Sequence, residues 1–393
     1  MGIGTKPEGW KLIPLGELAD SIPGGTPSTT VNSYWNGEIL WATPSDITAT
    51  SGKYIDSTER TITDLGLKHA SQLLPVGSIL LCTRATIGEA KIAASPITTN
   101  QGFKSLIPKA GVSNEWLYYV TQHLKTEMIS LSSGSTFLEL GTKQLKGILV
   151  STPSNEEQVA IADALSDIDL LIKNLKREIL KRKNFRIAIT QEKLTNNSGK
   201  VIKLGDHSHF YKGFGLAKAD LTDSGAYPAI HYGELFLKYP ETISETISST
   251  NKFNPNSFLS RTNDVLMPSS DVTPTGLAVA SCIKVDGVIL GGDVLVIRPD
   301  KNIINGSYLS YVIRNSREQI LRLVNGTTVF HIYGKDLAKF EFRLPDIGEQ
   351  NEVVFLLDAL RNEFESLEKE LYKYECIKQG MMHDLLTGKV RLL

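Results

Sequence analysis

This chain contains its own copy. Sliding the sequence by 192 positions lays Leu117 on Leu309, Tyr119 on Tyr311, Val120 on Val312, Gly134 on Gly326 and Thr136 on Thr328. The register continues through Lys143 on Lys335, Leu145 on Leu337, Pro153 on Pro345, Glu157-Gln158 on Glu349-Gln350 and Leu194-Thr195 on Leu386-Thr387. A single gapless offset held for about 80 residues is the mark of a duplication, because composition alone does not keep such a register. Upstream, Leu15-Gly16 resembles Leu204-Gly205, and Gly77-Ser78-Ile79-Leu80-Leu81 resembles Asn263-Asp264-Val265-Leu266-Met267, at slightly shorter offsets. The copies share a frame and differ in content. A length of 393 residues leaves room for two or three domains.

Each copy has about 140 residues of short β-type runs broken by Gly, Pro, Ser and Thr, followed by one long helix. Ser78-Ile79-Leu80-Leu81-Cys82 is such a run, and Gly24-Gly25-Thr26-Pro27 and Leu74-Pro75-Val76-Gly77 are such breaks. At Ser154-Asn155-Glu156-Glu157 a capping-box pattern opens an apolar periodicity. The expected organisation is a β-rich domain over 1–153, a helix over 154–196, a second β-rich domain over 197–345 and a second helix over 346–393. The fold class is α+β, with two mainly β domains separated by two long antiparallel helices and an internal pseudo-twofold duplication.

The first helix places Ile161, Leu165, Ile168, Leu171 or Ile172, Leu175 and Ile179 on one stripe. The same heptad phase in the second helix holds Val353, Leu357, Leu360, Phe364, Leu367 and Leu371. Of the two alternatives in the first stripe, Ile172 is taken as the pairing residue. A helix of some forty residues would be about 60 Å long, more than an ordinary core helix. Two such helices pairing antiparallel would hold two domains apart as a spacer. Thr195-Asn196-Asn197-Ser198-Gly199-Lys200 is the polar turn between the halves. A pair of unlike domains on a spacer suits an elongated ligand touched at two places. DNA is the obvious one, with half-sites commonly about 34 Å apart.

Composition sets limits on that idea. With 42 basic against 43 acidic residues there is no global positive field, so any DNA contact must come from local patches. No run reaches the roughly 20 apolar residues of a membrane-spanning helix. The polar Met1-Gly2-Ile3-Gly4-Thr5-Lys6 start has no apolar run behind it, so no export signal is expected. Cys82, Cys282 and Cys376 are too few and too widely spaced for a disulfide framework, and a cytoplasmic setting is expected.

Several ordered blocks resemble the specificity subunit of type I restriction-modification enzymes. They are Gly24-Gly25-Thr26-Pro27-Ser28, Tyr34-Trp35, Ile39-Leu40-Trp41, Leu74 to Leu80, Thr83-Arg84-Ala85-Thr86-Ile87-Gly88 and Thr99-Asn100-Gln101-Gly102-Phe103. Gly134-Ser135-Thr136-Phe137, Pro153 with Glu157-Gln158, and Leu385-Leu386-Thr387-Gly388 continue the order, so the similarity covers nearly the whole chain. The second β-rich domain departs from it by lacking the first, Arg-containing and Asn-Gln-Gly-Phe blocks. The resemblance implies two target recognition domains, each reading one half of a bipartite DNA site, and helices acting as ruler and docking platform. It further implies as partners double-stranded DNA, two methyltransferase subunits and restriction/translocase subunits. S-adenosylmethionine, ATP and Mg2+ would serve those partners, with no cofactor bound by this chain.

Small and hydroxyl residues suit backbone approach to phosphate, and the same residues equally suit plain tight turns. On this basis Gly24, Gly25, Thr26 and Ser28, then Thr83 and Thr86, then Ser135 and Thr136, are candidate DNA contacts. Arg84 has the fork that matches guanine O6 and N7, with an ordinary salt bridge as the alternative. Thr99, Asn100 and Gln101 are candidate base readers, since Asn and Gln pair bidentately with adenine. In the second domain the candidates are Lys212, Ser269, Ser270, Thr273 and Thr275, with Thr327, Thr328 and His331. On the first helix, Lys173, Lys176, Arg177, Lys181, Arg182, Lys183 and Arg186 form a basic stretch, either a solvated helix face or a phosphate contact.

Catalysis by this chain is not expected. The Asn/Asp-Pro-Pro-Tyr/Phe block of a base-flipping methyltransferase is missing, and Asn254-Pro255-Asn256-Ser257-Phe258 lacks its second proline. Gly213-Phe214-Gly215 reads as a turn, and Gly134 to Lys143 has the wrong spacing for a P-loop. His207, His209 and His231 lack the partners of a metal site. A different class remains open: an adaptor whose coiled coil binds a protein and whose β-rich domains bind glycans or peptides.

Overall fold

The computed structural model describes residues 8–70, 72–134 and 138–393. They form two compact units, one holding residues up to Glu178 together with Leu367–Leu393, the other holding Ile179–Ser366. The division therefore cuts through both long helices, because each half of a helix packs with the β-rich part beside it.

In the first unit a five-stranded sheet has the order Ala19–Pro23, Lys104–Pro108, Ile79–Leu81, Ala90–Ala93, Tyr54–Ile55. In the second unit Ser208–Lys212, Val294–Pro299, Val265–Pro268, Ser281–Ile283 and Thr242–Ile243 take the same order. In both sheets only the last pairing is parallel. Ile79–Leu81 and Val265–Pro268 are buried at every position, as expected of central strands covered on both faces. Each unit also has a second sheet with a parallel pair, Trp35–Ala42 with Ile97–Thr99 and Tyr227–Ile230 with Ile289–Leu290. Two-stranded ladders, Lys11–Pro14 on Leu149–Thr152 and Lys200–Lys203 on Glu341–Leu344, lead into the long helices.

The long helices run Asn155–Thr195 and Ile347–Leu386, 41 and 40 residues. Within the first unit, Ile161 and Leu165 share a core with Leu385 and Leu386, and Asp169 and Glu375 pair with Lys378 and Lys176 of the opposite helix. Within the second, Leu194 shares a core with Val353 and Leu357, Arg182 pairs with Glu363, and Arg186 lies 5.1 Å from the Phe364 ring. Both sets of contacts are antiparallel. All twelve expected pairing positions are buried or half-buried, and at the ambiguous step Ile172 is buried whereas Leu171 is exposed.

The helix starts show what the duplication preserved. Ser154 Oγ accepts from the Glu157 N–H at 3.3 Å, and Asp346 Oδ1 accepts from the Glu349 N–H at 2.9 Å, so each helix has a side-chain N-cap. The expected capping box at Ser154 is only half formed. The Glu157 carboxylate does not turn back to the cap but accepts from Trp10 Nε1 at 3.0 Å and from Arg391 Nε and Nη2 at 2.6 and 2.8 Å. A buried carboxylate gains more from a guanidinium fork than from one amide, so the tertiary partner wins. At the far end Gly388, with φ +73°, closes the second helix in the left-handed conformation.

Candidate nucleic-acid interface

In the first unit the chain leaves Ala19–Pro23 and passes directly over Thr99 and Asn100. A Cβ on Gly24 would lie 1.8 Å from the Asn100 carbonyl oxygen, and one on Gly25 would lie 2.0 Å from that of Ala70, so only glycine fits. The Gly25 N–H donates to Thr99 O at 2.8 Å, and Trp41 Nε1 donates to Gly25 O at 3.0 Å. Thr26 Oγ1 donates to Gln101 Oε1. Asn100 Oδ1 accepts from the Gly102 N–H at 2.8 Å, an Asx turn that directs its side chain inward on its own loop. Ser28 is exposed, with Trp35 Nε1 donating to its carbonyl at 3.1 Å.

Next to this crossing stand Thr83, Arg84 and Thr86. The Thr83 N–H donates to Gly102 O at 2.8 Å, and Lys104 Nζ lies 3.4 Å from Thr83 Oγ1. Arg84 donates through Nε at 3.1 Å and through Nη2 to the same Glu139 oxygen, while Lys104 Nζ holds the other at 3.0 Å. These two cations keep the Glu139 carboxyl below the usual carboxylate range. Ala85 adopts φ +62°, and the Thr86 N–H donates to Arg84 O at 2.8 Å, closing a three-residue turn. The structure thus gathers Gly24, Gly25, Thr26, Thr83, Arg84, Asn100 and Gln101 at one edge. Two of the expected contacts need correction in role: Thr83 and Thr99 are fully buried, so their hydroxyls build the frame and do not face a ligand. Ser135 and Thr136 lie outside the described residues.

The second unit repeats this edge with other side chains. Gly213 stands where Gly24 does, and a Cβ there would lie 2.0 Å from Gly291 O. Lys212 Nζ pairs with Asp293 Oδ1 at 2.7 Å, and Ser269 Oγ donates to the same oxygen at 3.3 Å. Lys212, foremost, and the Ser269 hydroxyl outweigh burial and lower the Asp293 carboxyl. Ser269 is itself buried. Ser270 pairs with His331 in a short ladder, as Arg84 bridges Glu139 in the first unit, and the Asn325 and His331 backbones bond each other as those of Ser133 and Glu139 do. Thr327 and Thr328 are exposed on the loop this pairing closes. Thr273 Oγ1 donates to Asp271 Oδ2 at 2.8 Å, and Thr275 is exposed in the next turn.

Sequence reasoning missed Glu139, Lys104, Asp293 and the role of Gly213. Glu139 was within reach, since the fixed offset carries His331 back onto it. Asp293 was not, because its φ of +63° and its ion pair depend on the loop geometry. His231 Nδ1 accepts from the Gly233 N–H at 3.1 Å, and among the described residues no group of three or more His, Cys, Asp or Glu is placed to hold a metal. Among the basic residues of the first helix, Lys176, Arg182 and Arg186 engage the second helix.

The same frame therefore occurs twice, with unlike side chains at matching turns, and each copy is followed by a long helix. The family model described as "Type I restriction modification DNA specificity domain" matches residues 7–181 and again 197–373, and the chain belongs to that family. It is 43% identical over 179 residues to the type I restriction enzyme MjaIX specificity subunit of Methanocaldococcus jannaschii, and 29% over 174 residues to the EcoR124I/EcoR124II specificity subunit of Escherichia coli. These matches span 45% and 42% of this chain and only 41% and 42% of the relatives' length. The MjaVIII specificity subunit of M. jannaschii matches over 98% of this chain and 94% of its own at 20% identity. In fold the chain resembles the HsdS subunit from Thermoanaerobacter tengcongensis (TM-score 0.53, 15% identity, 99% of each chain covered). It also resembles the type I S subunit from M. genitalium (TM-score 0.58, 14% identity, 98% of each chain covered).

Proposed function

We propose that this chain is the DNA sequence-recognition subunit of a type I restriction-modification complex and carries no catalysis itself. Its target recognition domains, residues 1–153 and 197–345, each read one half of an asymmetric bipartite site. The helical segments 154–196 and 346–393 set the spacing and dock two methyltransferase subunits, which restriction/translocase subunits then join. S-adenosylmethionine, ATP and Mg2+ serve those partners, and the complex works in the cytoplasm. The observation that carries the proposal is the repeated edge: one backbone frame, used twice, presents Arg84 with Glu139 in one unit and Ser270 with His331 in the other. Equal frames with unequal donors and acceptors read two unlike blocks of bases. Large apolar side chains left exposed on the long helices, among them Leu170, Leu180, Phe185, Phe355 and Tyr372, suit a docked protein partner.

The test is a genome-wide map of N6-methyladenine in cells with and without this gene, in the presence of the cognate methyltransferase. The expected result is loss of methylation at one asymmetric bipartite motif. Replacing residues 14–152 by another recognition domain should then change one half of that motif. An unchanged map with the methyltransferase expressed, or a change in both halves after the swap, overturns the proposal.

A further inference from the structure

Arg84 is unusual among the cations of the first unit's recognition edge. Its side chain is 44% exposed, yet its direction is fixed by Glu139, which engages Nε and one hydrogen of Nη2. A guanidinium carries five N–H donors in a rigid plane. Those left over, on Nη1 and the outer side of Nη2, form the terminal fork that pairs with the O6 and N7 acceptors of guanine. Glu139 is in turn fixed by Lys104, whose own side chain is only 9% exposed. The backbone adds a second constraint through the turn at Ala85, whose positive φ is rare outside glycine and clusters at functional sites.

The duplication supplies an internal comparison. Ser270 and His331 occupy the same bridge in the second unit. There a short hydroxyl replaces the fork and an imidazole replaces its carboxylate anchor, while the neighbouring loop closure by Asn325 is kept. The frame at this bridge is kept while the side chains that it presents differ.

We propose that Arg84 reads a single guanine in the half-site of the first unit, with Glu139 as its positioning residue, and that this bridge is a point where the two units are set to different bases. The inference rests on the DNA-recognition role given above. Glu139 holds the fork in one orientation before binding, so a base whose acceptors do not match that orientation is not met by a change of rotamer.

The experiment is the methylation map of the full chain with its cognate methyltransferase subunit, for the wild type, Arg84→Ala, Arg84→Lys, Glu139→Gln and the double variant Arg84→Ser/Glu139→His. Arg84→Ala should relax one guanine of one half-site, with preference for it falling about 10- to 100-fold, and leave the other half unchanged. Arg84→Lys should relax the same position, because lysine keeps the charge without the fork. Glu139→Gln should weaken preference at that same position by a smaller factor while the base remains guanine. The double variant should leave guanine unselected there. An intact motif in Arg84→Ala, relaxation spread over both halves, or uniform loss of methylation by a folded complex would each overturn the inference. If Arg84→Ala fails to assemble, Arg84→Lys and Glu139→Gln decide it, as both retain a polar partner at the bridge. A wild-type map without any bipartite motif would instead overturn the underlying role, before any variant is compared.

Discussion

The Gly306 N–H donates to Asn263 Oδ1 at 2.7 Å, and in the other unit the two residue types change places. Gly77 corresponds to Asn263 and has φ +86°, close to the +81° of Asn263, while Asn114 corresponds to Gly306 and lies over Gly77. One asparagine and one glycine fill the same space at the start of the helices Asn114–His123 and Gly306–Asn315, from opposite sides. Gly306→Asn alone would put a Cβ 2.4 Å from the Asn263 carbonyl oxygen and 2.8 Å from Cys282 Sγ. It should cost about 1–3 kcal/mol. Adding Asn263→Gly should recover at least ~0.5 kcal/mol, as contacting residues couple. Urea unfolding of the single and double variants measures this; strict additivity would show that the exchange is incidental.

Gln350 should be a stability anchor of the second unit. It is fully buried, accepts from the Asn305 N–H at 2.8 Å and donates to both Ile303 O and Pro345 O at 2.9 Å. Gln158 joins Ser113 and Pro153 in the same way. Gln350→Leu strands a buried N–H and two carbonyls, and roughly 2–4 kcal/mol should be lost. Differential scanning calorimetry checks this through the transition belonging to the second unit.

Acid should loosen the first unit at Glu157. Burial would raise its pKa, but the bonds from Arg391 and Trp10 outweigh it and hold the carboxyl below its usual value. A depressed native pKa means that the stabilisation is complete above the unfolded value near 4.3 and disappears as pH falls through the lower native value. Glu157→Gln should therefore lower the thermal midpoint at pH 7 and flatten its fall below pH 5 or so. Equal slopes for wild type and variant in melts from pH 3 to 7 would assign the acid response elsewhere.

Gly213→Ala should disrupt the turn after Ser208–Lys212 in the second unit, because its Cβ would meet Gly291 O at 2.0 Å and Leu290 O at 2.6 Å. Backbone atoms cannot rotate away, so a cost of about 2–3 kcal/mol is expected. On the proposed DNA-recognition role, binding to DNA carrying the methylated motif should weaken, measured by fluorescence anisotropy at fixed salt.

The legible and the hidden parts of this protein divide by range. Duplication, the cap at Ser154 and the stripe from Ile161 to Leu371 were written in spacing, because helical periodicity and N-caps are local properties of a few consecutive residues. The blocks at Gly24, Thr83 and Asn100 were also visible, though not that Thr99 would be buried under the crossing and Thr83 beside it. Long-range packing brings Glu157 away from its cap to Arg391, 234 positions away, and Glu139 to Arg84 across 55. Neither partner is marked by pattern, since an ion pair needs only proximity and opposite charge, and proximity between distant segments is set by how the sheets and helices pack. Two copies of one frame are legible in the order of residues; which side chains those frames hold out and which they keep for themselves follows from the packing.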